Sequence, residues 1–295
     1  MVELKNEKIA IPIVLFAGLL WSFGPLVVRY MNDPHMVPWQ YIFGRGLTIF
    51  ILLNLYLYFE EGIKFYKNYL KMGYSGIIGG TGLGIAMISF IYSITNTSAA
   101  ITLLCLAAMP FFTALLAFLF LKEKISLNVW ISIFIATIGI IIMAFASTGS
   151  NSVVGFIFGM LSSIGFSVFS VTLRWRTETP KFTTVAFSGF FCFVFASIML
   201  LVTNQVFFST SYNGALFSLH GTLVCLGLIL YSIGSKAIPA AELTLLSLTE
   251  VIGGIFWVWL PILGINEVPD TYTIIGGFFL FISLVYYSLV MRWNK

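Results

Sequence analysis

Charged side chains are scarce in this sequence: Asp, Glu, Lys and Arg make up 9% of its 295 residues, against roughly 25% in a soluble globular domain. So few charges cannot cover a sphere of this size. An ordinary soluble fold is excluded, and lipid is left as the main solvent. Cysteine is scarce too. Cys105, Cys192 and Cys225 lie inside apolar stretches with no CxxC spacing, so neither a disulfide framework nor a zinc site is implied. The two histidines, His35 and His220, form no metal-binding constellation, and no GxxxxGK[ST] phosphate loop occurs. No metal or cofactor is expected. The net charge of +4 is spread over short loops rather than gathered on one stripe, which argues against nucleic acid as a partner.

What is abundant is apolar length. Hydrophobic residues make up 59% of the chain, and a spanning helix needs roughly 20 of them in a row. Runs of that kind cover 9–29, 38–59, 72–94, 98–121 and 127–146, then 152–174, 182–204, 213–234, 240–262 and 271–291. The first run follows Lys5 and Lys8 without a cleavage signature and reads as a retained span. With the N-terminus inside, the inner segments hold 13 of the 15 Lys and Arg residues, among them Lys64, Lys122, Lys181, Lys236 and Lys295. That bias predicts both termini inside.

The runs repeat. At an offset of 141 residues, Gly18, Ser22, Gly24 and Val27 fall on Gly159, Ser163, Gly165 and Val168, Gly80 on Gly221, and Ala99–Ala100 on Ala240–Ala241. Five is odd, so a second copy must enter the membrane upside down. The charges agree: Lys122-Glu123-Lys124 follows the fourth run, and Asn266-Glu267-Val268 its counterpart, with the Glu kept and the lysines gone. The expected fold is all-α and integral to the membrane. It has ten transmembrane helices as two inverted five-helix repeats, residues 1–148 and 149–295, with N and C termini inside. Inverted repeats of this kind are the mark of carriers that alternate access around a midplane site.

The motifs Gly18-Leu19-Leu20-Trp21-Ser22 with Arg29, Arg45 in the second run, Ala107-Ala108-Met109-Pro110 leading to Leu121-Lys122-Glu123-Lys124, and Gly139 carry a resemblance. The chain resembles the drug/metabolite transporter superfamily, in its EamA-type ten-helix branch. The resemblance implies a multi-pass protein of the cell (inner) membrane, with a central cavity lined by spans 1, 3, 4, 6, 8 and 9. It implies a small-molecule substrate, the lipid bilayer as partner, and no enzymatic activity. The second copy departs from the pattern, with Glu250-Val251 in place of Met109-Pro110.

Glu250 is the leading site residue. It sits about 15 Å from the inner surface at 1.5 Å per residue, where a carboxylate costs at least about 3 kcal/mol unless it faces a cavity or partner. It suits a cationic head group or a proton-coupling acid; the plainer reading is an ion pair or a bond to hydroxyls such as Thr249. Arg45, about 10 Å from the outer surface, suits a substrate carboxylate, a pair with Glu250, or a structural role. Trp21, Tyr92, Tyr231 and Trp257 are the aromatic candidates for the cavity wall, which would suit an amine or quaternary ammonium group. Glu242 and Pro110 are gating candidates, although helix capping explains Glu242 as well and Pro110 would kink its helix in any case. Trp39, Tyr41 and Trp293 read as interfacial anchors, and the glycines of span 3 as close-packing residues. The expected function is a secondary transporter of a small polar metabolite, an amino acid, amine or quaternary ammonium compound, working as monomer or homodimer. Proton coupling follows if Glu250 titrates. The alternatives are an exchanger or exporter of sugars or nucleotide-linked sugars and, in another class, a channel.

Overall fold

The computed structural model describes residues 7–34, 37–144, 153–176, 178–268 and 271–293, without the side chains of residues 143, 144, 273, 288 and 290–293. Lys5, His35, Lys295 and the Trp293 side chain therefore lie outside the described residues. Everything regular is helical. The chain runs through α1 (Glu7–Trp21), α2 (Gly24–Arg29), α3 (Pro38–Glu61), α4 (Lys67–Lys71), α5 (Gly73–Asn96), α6 (Ala99–Leu106) and α7 (Met109–Leu116). It continues through α8 (Leu127–Ala144), α9 (Val153–Trp175), α10 (Lys181–Val202), α11 (Ser211–Gly234), α12 (Ala240–Leu246), α13 (Thr249–Trp259) and α14 (Thr271–Trp293). Among the described residues, eight continuous or broken helices are long and apolar enough to cross a membrane. Two shorter apolar helices, Leu127–Ile142 and Ile274–Tyr287, occupy the fifth and tenth predicted runs.

The packing obeys a simple exchange rule. α5 lies along α9 and α1 along α11; α3 crosses α10, and α8 pairs with α14. α6 and α7 rest on α9, as α13 rests on α1 and α2. Swapping the first five runs for the second five maps each of these pairs onto another or onto itself. Small residues let the backbones meet at the tightest crossing. A Cβ placed on Gly165 would lie 2.6 Å from the carbonyl oxygen of Gly82, and one on Gly82 3.0 Å from that of Gly165. The span 3 glycines are thus packing residues: Gly79 faces Thr172, Gly80 faces Phe187 and Gly84 faces Phe191.

Span 1 breaks toward its end, where α1 gives way to α2 at Ser22–Phe23 just before Pro25, and two other spans break in the middle. α6 gives way to α7 at Ala107–Ala108, just before Pro110, and α12 gives way to α13 at Ser247–Leu248, where there is no proline. A break strips carbonyls of their helical partners, and in an apolar interior those must be satisfied locally. At the α6–α7 break, Ser163 Oγ donates to the Cys105 carbonyl and Ser167 Oγ to that of Met109 (3.1 Å). At the α12–α13 break, Thr249 Oγ1 donates to the carbonyls of Leu246 (3.1 Å) and Leu15 (3.2 Å). The break places Glu250 in the first turn of α13, where the helix dipole favours a carboxylate.

One interfacial anchor is corrected. Tyr41 is fully buried, packs its ring on Phe217 and His220 (5.0 and 5.6 Å), and hydrogen-bonds His220 Nδ1 through its hydroxyl. A hydroxyl near a span end reads as an interface residue in the sequence, but here a partner 179 positions away makes burial cheaper than solvation. Tyr41→Phe leaves a buried imidazole nitrogen without its partner, which costs about 1–3 kcal/mol. The purified variant should melt several degrees below the parent, and an unchanged melting temperature would refute the pairing. Trp39, by contrast, is half-buried and packs on Tyr92 and Phe195 (4.9 and 5.8 Å).

Candidate functional site

A central cavity lies between the two sets of helices. About 500 Å³ within it is free of protein atoms, its open mouth included, and the centre of a water molecule has about 60 Å³ in which to move. That is room for more than one water. Its walls are Trp21 of α1, Leu83, Ala86, Met87 and Phe90 of α5, Leu106 and Met109 beside the α6–α7 break, Ser162 and Phe166 of α9, and Val224 and Leu228 of α11. Three groups of another character join them: Arg45, His220 and Glu250.

Arg45 is nearly fully buried. Its Nη2 donates to the Met87 carbonyl at 2.5 Å, and its guanidinium carbon lies 5.9 and 6.0 Å from the centres of the Tyr41 and Phe90 rings. Its Nε–H has no partner. The guanidinium is thus held by one edge and two aromatic faces while a donor is left over. Glu250 feels the Arg45 charge, yet no salt bridge of 4.0 Å or less joins the two. The hydroxyl beside Glu250 is spent elsewhere, because Thr249 serves the Leu246 and Leu15 carbonyls. A cation and an anion therefore share one largely apolar cavity without being joined.

The structure brings Glu250, Arg45 and Trp21 to this wall. Trp21 Nε1 donates to the Val224 carbonyl at 3.3 Å, which fixes the indole's edge. Tyr231 lies one layer behind: its ring packs on Trp21 and Phe166 (5.4 and 5.3 Å), and its hydroxyl pairs with Ser170 Oγ at 2.7 Å. Tyr92 sits apart, against Trp39 and Phe158. Trp257 stacks on Phe23 at 4.7 Å, donates to Ser22 Oγ at 2.8 Å, and lines a lateral apolar groove with Phe16, Ile252 and Phe281. Neither Tyr92 nor Trp257 shares the cavity with Glu250. Pro110 is buried directly after the α6–α7 break. Glu242 is buried in the first turn of α12 and accepts a hydrogen bond from the Tyr287 hydroxyl. His220, which forms no metal-binding constellation with His35 in the sequence, lines the cavity. Its spacing from Val224 and Leu228, four residues each time along α11, puts all three on one face.

Above and below, two arginines make matching arrangements. Arg29, at the end of α2, pairs with Glu267 at 2.5 Å and donates to the carbonyls of Ile94 (3.2 Å) and Thr97 (3.3 Å). Arg174, in the last turn of α9, pairs with Glu123 at 2.7 Å and donates to the carbonyls of Ser235 (3.1 Å) and Ile238 (2.9 Å). The acceptor carbonyls of the second clamp stand 141 residues beyond those of the first, the offset at which the sequence repeats. Each clamp joins groups from both sets of five runs.

Residues 8–145, which carry one side of the cavity, the break before Pro110 and part of each clamp, match the model of the EamA-like transporter family. That stretch of the chain is similar to that family. An uncharacterized transporter of Helicobacter pylori (strain J99) is 30% identical over 56% of this chain and 54% of its own. The chain thus spans about half the length of the first curated relatives it matches. The pseudopaline exporter of Pseudomonas aeruginosa is 23% identical over 78% of this chain and 84% of its own. A solved crystal structure aligns with 98% of this chain and 100% of its own, with a TM-score of 0.73 and 18% identity, so the two share a fold. The family and these named relatives are transporters rather than enzymes. With its apolar helices, the chain is a multi-pass membrane protein.

Proposed function

We propose that the chain is a secondary transporter whose central cavity binds a small zwitterionic metabolite, an amino acid or a related amine acid. One observation carries this reading: Arg45 keeps an unpaired Nε–H and Glu250 an unbridged carboxylate in a single cavity walled mostly by apolar side chains, with Ser162 and His220 beside them. A carboxylate placed against Arg45 and an ammonium against Glu250 would each gain a charge-assisted bond. The apolar wall would lower the local dielectric and strengthen both. Ten spans in two inverted repeats, residues 1–148 and 149–295 with both termini inside, are supported by the charge bias, the offset of 141 and the exchange rule of the packing. Under that topology the Arg29 clamp closes the outer side and the Arg174 clamp the inner one, and alternating access releases them in turn. If Glu250 carries a proton during the cycle, Glu250→Gln uptake will not respond to an imposed pH gradient. The export direction of the pseudopaline relative makes efflux as natural as uptake.

Binding to the detergent-purified protein tests the reading. Ligand bound to the folded state raises the melting temperature by linkage. An amino acid should stabilise the protein, while the amine lacking its carboxylate and the acid lacking its amine should each need about tenfold more ligand or greater, since each loses a charge-assisted bond. Equal response to all three would defeat the two-charge reading.

A further inference from the structure

A second, larger cavity opens between α3, α4, α10 and α11, and it shares no residue with the central one. About 1080 Å³ of it is free of atoms, its mouth included. Lys71, Lys181 and Lys236 line it. Lys181 Nζ donates one hydrogen to Ser235 Oγ at 2.7 Å and feels the like charges of Lys236 and Arg174. Of the two carboxylates on the same wall, Glu61 already accepts from Asn68 at 2.7 Å. Two buried hydroxyls line the cavity as well, Thr183 Oγ1 and Ser232 Oγ, and neither has a hydrogen-bond partner. Buried hydroxyls left unpaired cost free energy, and native proteins rarely keep them without a ligand or water to serve.

Clustered lysines and idle hydroxyls together fit one chemistry. The like charges of Lys236 and Arg174 on Lys181 favour an anion beside it, and ammonium and hydroxyl donors suit the several acceptor oxygens of a phosphate. The same cavity is lined by Tyr56 against Phe182 (5.4 Å between rings) and by Leu57 and Ile233, which offers apolar surface for whatever the phosphate is attached to. We propose that this cavity binds a phosphate group, carried either by a membrane phospholipid or by a soluble phosphate ester.

The full chain in phosphatidylcholine nanodiscs tests this by thermal stability, with inorganic phosphate titrated in one arm and phosphatidic acid added to the bilayer in the other. The wild type should be stabilised saturably in at least one arm. Stabilisation by inorganic phosphate identifies a soluble source; stabilisation by phosphatidic acid alone identifies a lipid. Two paired variants should need about tenfold more phosphate or greater, each losing charge-assisted or hydroxyl bonds: Lys71→Gln with Lys236→Gln, and Thr183→Val with Ser232→Ala. The second pair keeps every charge, so it separates the cavity from a diffuse basic surface. No stabilisation of the wild type in either arm would overturn the proposal, as would a Thr183→Val/Ser232→Ala protein that responds like the parent. Should one pair fail to fold, the other decides, read by the number of phosphates retained in native mass spectrometry.

Discussion

Glu250→Gln should abolish concentrative uptake of a zwitterionic substrate in proteoliposomes, and Arg45→Lys should come close to doing the same. In the Gln variant the substrate ammonium loses its anion, and Arg45 is left in the apolar cavity without compensation. Truncating one partner of a buried, hydrogen-bonded charge pair costs about 2–5 kcal/mol, which corresponds to roughly thirtyfold to several thousandfold in apparent affinity. Glu250→Asp keeps the charge and should retain a measurable fraction of transport. For Arg45 the argument is geometric. Its guanidinium spends Nη2 on the Met87 carbonyl and still has Nε–H to offer. A lysine ammonium keeps the charge but not the fork, so it must choose between backbone and substrate. The expected result is a large rise in apparent KM with the melting temperature of the empty protein little changed. Normal uptake in both variants would remove these residues from the binding site.

Breaking the two clamps should have opposite effects on the two sides. Arg29→Gln removes an ion pair to Glu267 and two bonds to carbonyls, and Arg174→Gln removes the equivalent three contacts at the other end. Each set is partly buried. Losing charged hydrogen bonds of that kind shifts a two-state equilibrium by about 1.5–3 kcal/mol, or roughly tenfold to a hundredfold in population. Met87→Cys, in a background with the three native cysteines replaced, gives a reporter on the cavity wall. A membrane-impermeant maleimide applied outside should label it faster in Arg29→Gln, and one applied inside should do so in Arg174→Gln. Reversing the pair with Arg29→Glu and Glu267→Arg together should restore slow labelling. Equal acceleration from both faces in both variants would mean that the clamps hold the fold together and do not gate it.

Much of the scaffold was legible because lipid imposes a simple rule: long apolar runs separated by loops that carry the charge. The break in the fourth run was legible in Pro110. The matching break in the ninth was not, because Val251 stands where a proline might signal it; there the Thr249 hydroxyl serves the Leu246 carbonyl instead. Glu250 and Arg45 were legible as charges too deep in apolar runs to be idle. What they do not bond was hidden, since the Met87 carbonyl and the distance between the two side chains depend on how α3, α5 and α13 pack. The aromatic residues misled for the same reason. Tyr92 and Trp257 have the right depth but turn to Trp39 and Ser22, whereas Phe90, Phe166 and His220, ordinary members of helical faces, line the cavity. The clamps were half visible. Glu123 and Glu267 matched at an offset of 144, but their arginines are anchored on carbonyls that no side-chain pattern reveals.

The central claim is a carrier with one site that opens to each side in turn, and solute counterflow tests it most directly. Proteoliposomes loaded with unlabelled amino acid and diluted into trace labelled amino acid should accumulate label above equilibrium and then release it, in the parent but not in Glu250→Gln. Entry of label that only rises to equilibrium, without saturation and regardless of what is inside, would contradict the account and make the cavity a pore.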